Sequence, residues 1–280
     1  MISIVTINYN NKQGLEKTLQ SAIDQRFDDY EHIVIDGNST DGSKGVLTAY
    51  SNYLSYSISE PDTGVYNAMN KGIRQAKGDY TLFLNSGDTL AHNEILKEVS
   101  TQMVDGLDLY YGDLNFVSPD GSHVQTYPDE LSFKYFYHRS LGHPATFIKR
   151  SLFDKIFYYN EDLKIVSDWE FFICAVCKYN VSYRHLDLVI SNFETDGMSS
   201  DEANKKVIAS EMKSVLDNQF AFFMDDLRRL EKLEKDNQIL KSNRFKMSAE
   251  LENSKWARKI NSLLLRIQLR LFRNKKIDDL

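Results

Sequence analysis

The chain opens with short apolar runs alternating with stretches of helical period. Ile2–Ile7 (ISIVTI), His32–Ile35, Leu54–Ile58 and Tyr80–Leu84 are runs of strand length dominated by Ile, Val, Leu, Tyr and Phe. Between them, Leu15, Leu19, Ala22 and Ile23 fall at helical spacing within residues 12–25, a short helix is expected near Val46–Tyr50, and Val65–Ala76 turns Ala68, Met69, Ile73 and Ala76 to one side. A β-α-β-α-β-α-β order of this kind predicts an α/β protein with a mostly parallel sheet and right-handed crossovers.

Each strand ends on a polar turn. Asn8 and Tyr9 follow the first, Asp36 and the run Gly37–Gly42 the second, Glu60–Gly64 the third, and Asn85-Ser86-Gly87-Asp88 the fourth. Ligands of open α/β sheets bind just beyond the carboxyl ends of the strands. A carboxylate at such a place, here Asp88, suits Mg²⁺ or Mn²⁺ carrying a diphosphate, because these ions prefer oxygen ligands.

Past Asp88 the pattern becomes α+β. A helix is expected over His92–Val104, a strand over Leu109–Tyr111, a turn at Ser118–Gly121, an aromatic loop over 133–148 around Gly142-His143-Pro144 and a strand at Ala145–Ile148. Asp168 opens a helix running to about Lys178, and Ser182–Phe193 reads as a strand. Glu202 to about Lys276 is expected to be almost continuously helical. A heptad through Leu230, Leu233, Asn237, Leu240, Arg244, Met247 and Leu251 fits either a homodimeric coil or a helix lying on its own domain. In Lys255–Arg273 the residues Trp256, Ile260, Leu263, Leu264, Ile267 and Leu271 share one face, with Lys259, Arg266, Arg270 and Arg273 beside it. That arrangement suits an anionic membrane surface, the alternative being docking on the acidic body of the protein. The expected divisions are 1–200, 201–253 and 254–280.

Charge and composition sharpen this picture only in places. The 280 residues carry a net charge of −6, which argues against a nucleic-acid partner. Eight Lys/Arg and no acidic residue fall between Ser254 and Lys276, so the rest of the chain is more acidic than the total suggests. The first strand begins at once, without a secretory leader, and no apolar run reaches the ~18–20 residues of a spanning helix. The expected location is cytoplasmic, peripheral on the inner face of the membrane. Cys174 and Cys177 form a CxxC inside an apolar helical run, which reads as core packing.

Taken together, SIVTINYN, VIDGNSTDGS, EPDTGVYNAMNKGIRQAKGDY, LFLNSGD, GHPATF and SDWEFF resemble the family 2 inverting glycosyltransferases of the GT-A fold, and among these the group that builds bacterial O-antigen, capsule and exopolysaccharide repeat units. The resemblance covers roughly residues 1–200. It implies that Ile7 and Tyr9 touch a nucleotide base, that Asp36 hydrogen-bonds it, that Asp62 and Asn70 lie along the nucleotide, and that Asp88 ligates the metal. The family's D-x-D-D turn is thinned here to Asn85, Gly87 and Asp88, and Met69 replaces an Arg often found there, leaving Lys71 to face the diphosphate. Asp168 matches the catalytic base, and His143 falls on a segment near acceptor and diphosphate. Glu194–Ser199 resembles a loop that closes over the nucleotide.

The implied reaction moves a sugar from a nucleotide sugar, a UDP-sugar foremost, to a hydroxyl of a lipid-diphosphate-linked glycan. It needs a cation for the departing diphosphate and one carboxylate for the acceptor's proton. Glu170, two residues along the helix from Asp168, points about 200° away, so both cannot serve; without the resemblance, Asp168 reads as a helix N-cap. Two other readings remain open. A nucleotidyltransferase shares the βαβ logic but wants a Gly-rich basic loop that Asn8–Lys12 lacks, and a catalytically silent sugar-nucleotide-binding scaffold would suit the thinned turn and long helical end.

Overall fold

A computed structural model describes residues 1–195, 202–241 and 243–271. The strands are β1 (Ile2–Asn8), β2 (Tyr30–Asp36), β3 (Tyr56–Ser59), β4 (Tyr80–Phe83), β5 (Thr89–Leu90), β6 (Leu109–Ser118), β7 (Gly121–Gln125), β8 (Thr146–Lys149) and β9 (Tyr183–Glu194). The helices are α1 (Lys12–Ile23), α2 (Ser43–Ala49), α3 (Val65–Gln75), α4 (Ile95–Gln102), α5 (Phe133–His138), α6 (Ser151–Lys155), α7 (Ser167–Cys177), α8 (Lys205–Gln219), α9 (Ala221–Lys241), α10 (Asn243–Glu252) and α11 (Lys255–Leu271).

The described strands form one sheet in the order β3-β2-β1-β4-β8-β6-β9-β5, with β7 paired to the outer part of β6. β3, β2, β1 and β4 are parallel, as the alternation of strands and helices predicts. β8 then runs antiparallel to β4 and β6, and β9 returns parallel to β6. Successive strands step outward from β1 to β2 and β3, then β4 returns to the other side of β1. That reversal leaves a crevice at the carboxyl ends of β1 and β4.

Apolar runs become these strands because both faces of the sheet are covered. Ile2, Ile4, Val5, Ile33, Val34, Ile35, Leu82 and Phe83 are all buried. Under one side, Leu15 and Leu19 of α1 meet Val34, Val46 and Leu47. A second cluster of rings joins β4, α6 and α7: Phe83, Phe153, Tyr159 and Phe171 lie 4.8–6.4 Å apart, centroid to centroid, in tilted, edge-on and stacked pairs. Helix α1 starts at Asn11, whose side chain accepts from Gly14 N.

Several elements differ from the sequence expectation. The segment 133–148 contains the helix α5, its aromatic sequence FKYFYH hiding the helical period, with Ser132 capping Tyr135 N. The strand expected at Leu109–Tyr111 continues to Ser118 because it gains partners on both edges, β9 along its length and β7 beyond the Ser118–Gly121 turn. β5 is two residues long and is specified by its pairing with β9 rather than by any local pattern. Cys174 is buried and Cys177 half-buried, both as free thiols.

The chain forms two compact units, Met1–Val215 and Leu216–Leu280. In the second, α9, α10 and α11 follow one another, and Leu230, Leu233, Met247 and Leu251 of the heptad are exposed. No described helix is long and apolar enough to cross a membrane.

Gly72 lets α3 lie close on β1: a Cβ there would collide with the buried Val5 side chain. In an open helix Gly→Ala stabilises by about 1 kcal/mol. Here overpacking reverses the sign, and Gly72→Ala is expected to lower stability by about 1–3 kcal/mol. Urea unfolding of the two proteins measures it, and a raised midpoint would show that the interface yields.

Candidate active site

The crevice at the strand ends opens into a cavity of about 450 Å³. Its walls come from the Asn85–Asp88 turn, the start of α3, the segment before β8, the start of α7, the ends of β6 and β9, and α8. α1 fixes the turn from behind. Thr18 Oγ1 lies 2.7 Å from Asp88 O and 3.2 Å from Asn85 O and accepts from Gly87 N at 3.0 Å. Ser86 N and Oγ both donate to Ile7 O at 3.1 Å, tying the turn to the end of β1. Gly87 has φ +111°, a conformation that favours glycine.

Asp168 faces this turn across the cavity. It sits in the first turn of α7 behind Val166, which occupies the cap position, so it is not the N-cap. Tyr66 OH lies 2.9 Å from Asp168 Oδ1, and His143 Nδ1 lies 3.1 Å from Oδ2. On its other side His143 Nε2 is 3.0 Å from Asn85 Nδ2. With the Asn85 amide as donor, His143 accepts at Nε2 and carries its proton on Nδ1, from which it donates to Asp168. A continuous hydrogen-bonded row therefore runs Asn85–His143–Asp168–Tyr66. Glu170 points elsewhere: it is buried, receives Asn160 Nδ2 at 3.4 Å, and is pushed up by burial against that hydrogen bond.

Asp88 is only 4% exposed. Burial pushes its carboxyl up to about 7, opposed by His143 and by the Glu194 backbone N–H, which donates to Oδ1 at 3.3 Å, and reinforced by the charge of Glu194. In the same turn, Asn85 Oδ1 is buried with no hydrogen-bond partner among the described residues. A buried carboxylate and an unpartnered amide oxygen from one turn, both lining one cavity, fit a hard divalent cation. Among the described residues no three His, Cys, Asp or Glu side chains form a closed metal cage. Mg²⁺ commonly takes one or two carboxylates and completes its shell from substrate phosphates and water.

The other residues singled out from the sequence are distributed around this centre. Tyr9 is 70% exposed, and a Cβ on Gly37 would lie 2.6 Å from Asp62 Oδ2 and 3.1 Å from the Tyr9 ring, so Tyr9 and Asp62 flank a bare backbone cleft after β1 and β2. Asp36 is fully buried beneath it and takes hydrogen bonds from Asn8, Ser39 and Ser59; burial acts to raise its pKa, and these bonds bring it below the ordinary value. Asp88, His143 and Asp168 share the cavity; Asp36 is not among its walls. Asn70 turns into the protein, donating to Tyr159 O and Glu161 Oε1 at 2.8 Å each. Lys71 pairs with Glu60 at 2.7 Å beside a separate pocket of about 120 Å³. Of the loop Glu194–Ser199, positions 196–199 lie outside the described residues.

Two contributors went unnoticed in the sequence. Tyr66 lies inside the motif EPDTGVYNAMNKG, but only the fold brings it to Asp168, 102 residues away. Lys17, an ordinary surface position of α1, pairs with Glu194.

A parallel half-sheet with its crevice at a topological switch point, lined by acidic groups at strand ends, is the GT-A-like α/β architecture. The model of Glycosyl transferase family 2 matches residues 3–162, and the chain belongs to that family. It is 34% identical over 212 residues to an uncharacterised glycosyltransferase of Mycobacterium tuberculosis, covering 71% of this chain and 77% of the relative. Among solved structures it is similar to S. aureus TarS 1–349 in complex with UDP-GlcNAc, at 22% identity and TM-score 0.60, over 71% of this chain and 61% of that one. It is also similar to a mannosyltransferase of Pyrobaculum calidifontis in complex with GDP-Man and Mn²⁺, at 12% identity and TM-score 0.54, over 98% of this chain and 88% of that one.

The raised carboxyl of Asp88 makes stability depend on pH. A carboxyl near 7 in the folded chain and near 3.8 unfolded destabilises progressively as pH climbs through that window, and fully above it. Asp88→Asn removes the penalty. Its stability relative to the original chain, measured by urea unfolding in EDTA, is expected to rise from pH 5 to pH 8, by about 4 kcal/mol at most for the whole window. A difference unchanged between the two pH values would contradict the burial argument.

Proposed function

We propose that this chain transfers one sugar, with inversion, from a nucleotide sugar to a hydroxyl of a lipid-diphosphate-linked glycan in cell-surface polysaccharide synthesis. The observation that carries this reading is Asp168 facing the Asp88 turn across one cavity. Tyr66 and His143 orient the two oxygens of Asp168, leaving it to take the acceptor hydroxyl's proton as the new bond forms. Asp88, with Asn85 beside it, would hold Mg²⁺ or Mn²⁺, which when bound stabilises charge on the departing diphosphate. The nucleotide base occupies the cleft between Tyr9 and Asp62, with Ile7 behind it and Asp36 holding the cleft's floor. A UDP-sugar is the first donor to try, in line with the ligand of TarS, and Mn²⁺ the first metal, in line with the archaeal mannosyltransferase.

The acceptor's lipid implies a membrane, and α11 offers the means. Trp256, Ile260, Leu263, Leu264 and Ile267 are exposed on it, with Lys255, Arg258, Lys259 and Arg266 also at its surface. Such a helix lies in the headgroup layer of an anionic bilayer, which fits a catalytic region of 1–200 carried by the extension 201–253 on a surface anchor at 254–280.

Thermal shift against a panel of nucleotide sugars, with and without Mn²⁺, identifies the donor by the stability that binding adds. With that donor, Asp168→Asn is expected to keep donor affinity within about twofold while transfer falls by roughly 10²–10⁴, the usual contribution of a general base. Undiminished transfer would reject the assignment. Metal-dependent hydrolysis of the donor without acceptor separates this enzyme from a silent scaffold, which should show none.

A further inference from the structure

The turn that should carry the metal has a single carboxylate, because Asn85 and Gly87 supply none. The fold brings a second to the same place. β5 pairs antiparallel with β9 in the register Thr89↔Asn192 and Leu90↔Ser191, and continuing that register sets Gly87 opposite Glu194. The side chain reaches it too: a Cβ on Gly87 would lie 3.1 Å from Glu194 Oε2. The Glu194 carboxylate thus stands where a side chain from position 87 would begin. Its backbone N–H bonds Asp88 Oδ1, and both residues line the same cavity.

From this juxtaposition we propose that Glu194 is the second carboxylate ligand of the divalent cation held by Asp88, and that the Lys17 ammonium is its partner when the cation is absent. The inference rests on the nucleotide-sugar reading above. Two carboxylates brought this close repel unless a cation lies between or beside them. Lys17 pairs with Glu194 and meets that need from the α1 side. Asn85 Oδ1, buried and unpartnered, adds a third oxygen. Two carboxylates, one amide oxygen and the donor's phosphates make an all-oxygen set of the kind Mg²⁺ and Mn²⁺ take with nucleotides. The carboxylate lost from the local motif is restored in space, from a strand 107 positions further along the chain.

If Glu194 and Lys17 merely fasten β9 to α1, removing either charge costs stability and leaves metal affinity alone. The test is Mn²⁺ titration of the full chain followed by electron paramagnetic resonance, with UDP present as the phosphate-bearing probe. Thermal unfolding of each variant first establishes that it folds. Glu194→Gln, which keeps the shape of the side chain, is expected to weaken Mn²⁺ binding at least about tenfold, the lower end of what altering even a supporting group around a metal costs. Lys17→Met removes the competing ammonium and is expected to tighten Mn²⁺ binding severalfold. Equal affinity in the original chain and Glu194→Gln, with Asp88→Asn impaired, overturns the role of Glu194 and leaves the nucleotide-sugar reading standing. Weakened binding in Lys17→Met overturns the role given to Lys17. Failure of the original chain to take Mn²⁺ with UDP removes the metal site altogether, and both readings of it with it.

Discussion

A carboxylate sealed against solvent in the turn that follows a central strand is the feature around which this site is built. Isolated charge in a protein interior is costly, and a group so placed either takes a proton, finds a counter-charge or coordinates a metal. Asp88 is buried by the return of β9 beside the turn and by α1 behind it. Neither element pairs it directly with a cation, since the α1 ammonium of Lys17 goes to Glu194. The imidazole of His143 and one long hydrogen bond from Glu194 N only partly offset burial. On the function proposed above, the charge that completes these surroundings would arrive with the ligand, as a diphosphate escorted by a divalent ion does.

Asp36 shows the opposite solution. Asp36 closes the parallel strand β2, Asp88 lies in the turn that follows the parallel strand β4, and both are buried. Asp36 is surrounded by Asn8, Ser39 and Ser59, whose N–H and O–H groups outweigh its burial. It needs no visitor, and it holds the Ser39 loop and β3 in place beneath the Tyr9–Asp62 cleft. Two similar positions in one sheet therefore differ in role through their neighbours' donors rather than through the strands that bear them.

How much of this was legible in the sequence follows from what sets each element. β1, β2 and β4 are specified by local runs of Ile, Val, Leu and Phe that only a doubly covered sheet can bury, so their ends, and with them Asp36 and the Asn85–Asp88 turn, could be located directly. α5 carries no helical period because Phe133, Tyr135, Phe136 and Tyr137 crowd it on all sides; its Ser132 cap is the one local signal of a helix. β5 and β7 exist through pairing, and polar Gly121–Gln125 carries no alternation to announce a strand. The row from Asn85 to Tyr66 joins four residues from separate elements, which no spacing along the chain encodes. Motif resemblance pointed to Asp168 and His143; their hydrogen bond belongs to the fold.

The last link in that row bears on the chemistry. Tyr66 OH lies 2.5 Å from Ile165 O and 2.9 Å from Asp168 Oδ1, two acceptors for a hydroxyl with one proton to give. The phenol O–H is thus shared between the carbonyl that precedes α7 and the carboxylate in its first turn, and it reaches Asp168 as a donor. In the proposed reaction the base begins ionised and ends holding the acceptor's proton. Tyr66 on one oxygen and His143 on the other therefore both serve the carboxylate that precedes proton transfer. One carboxylate is thus held by both oxygens, its plane fixed by two neighbours from separate elements before the acceptor's proton arrives.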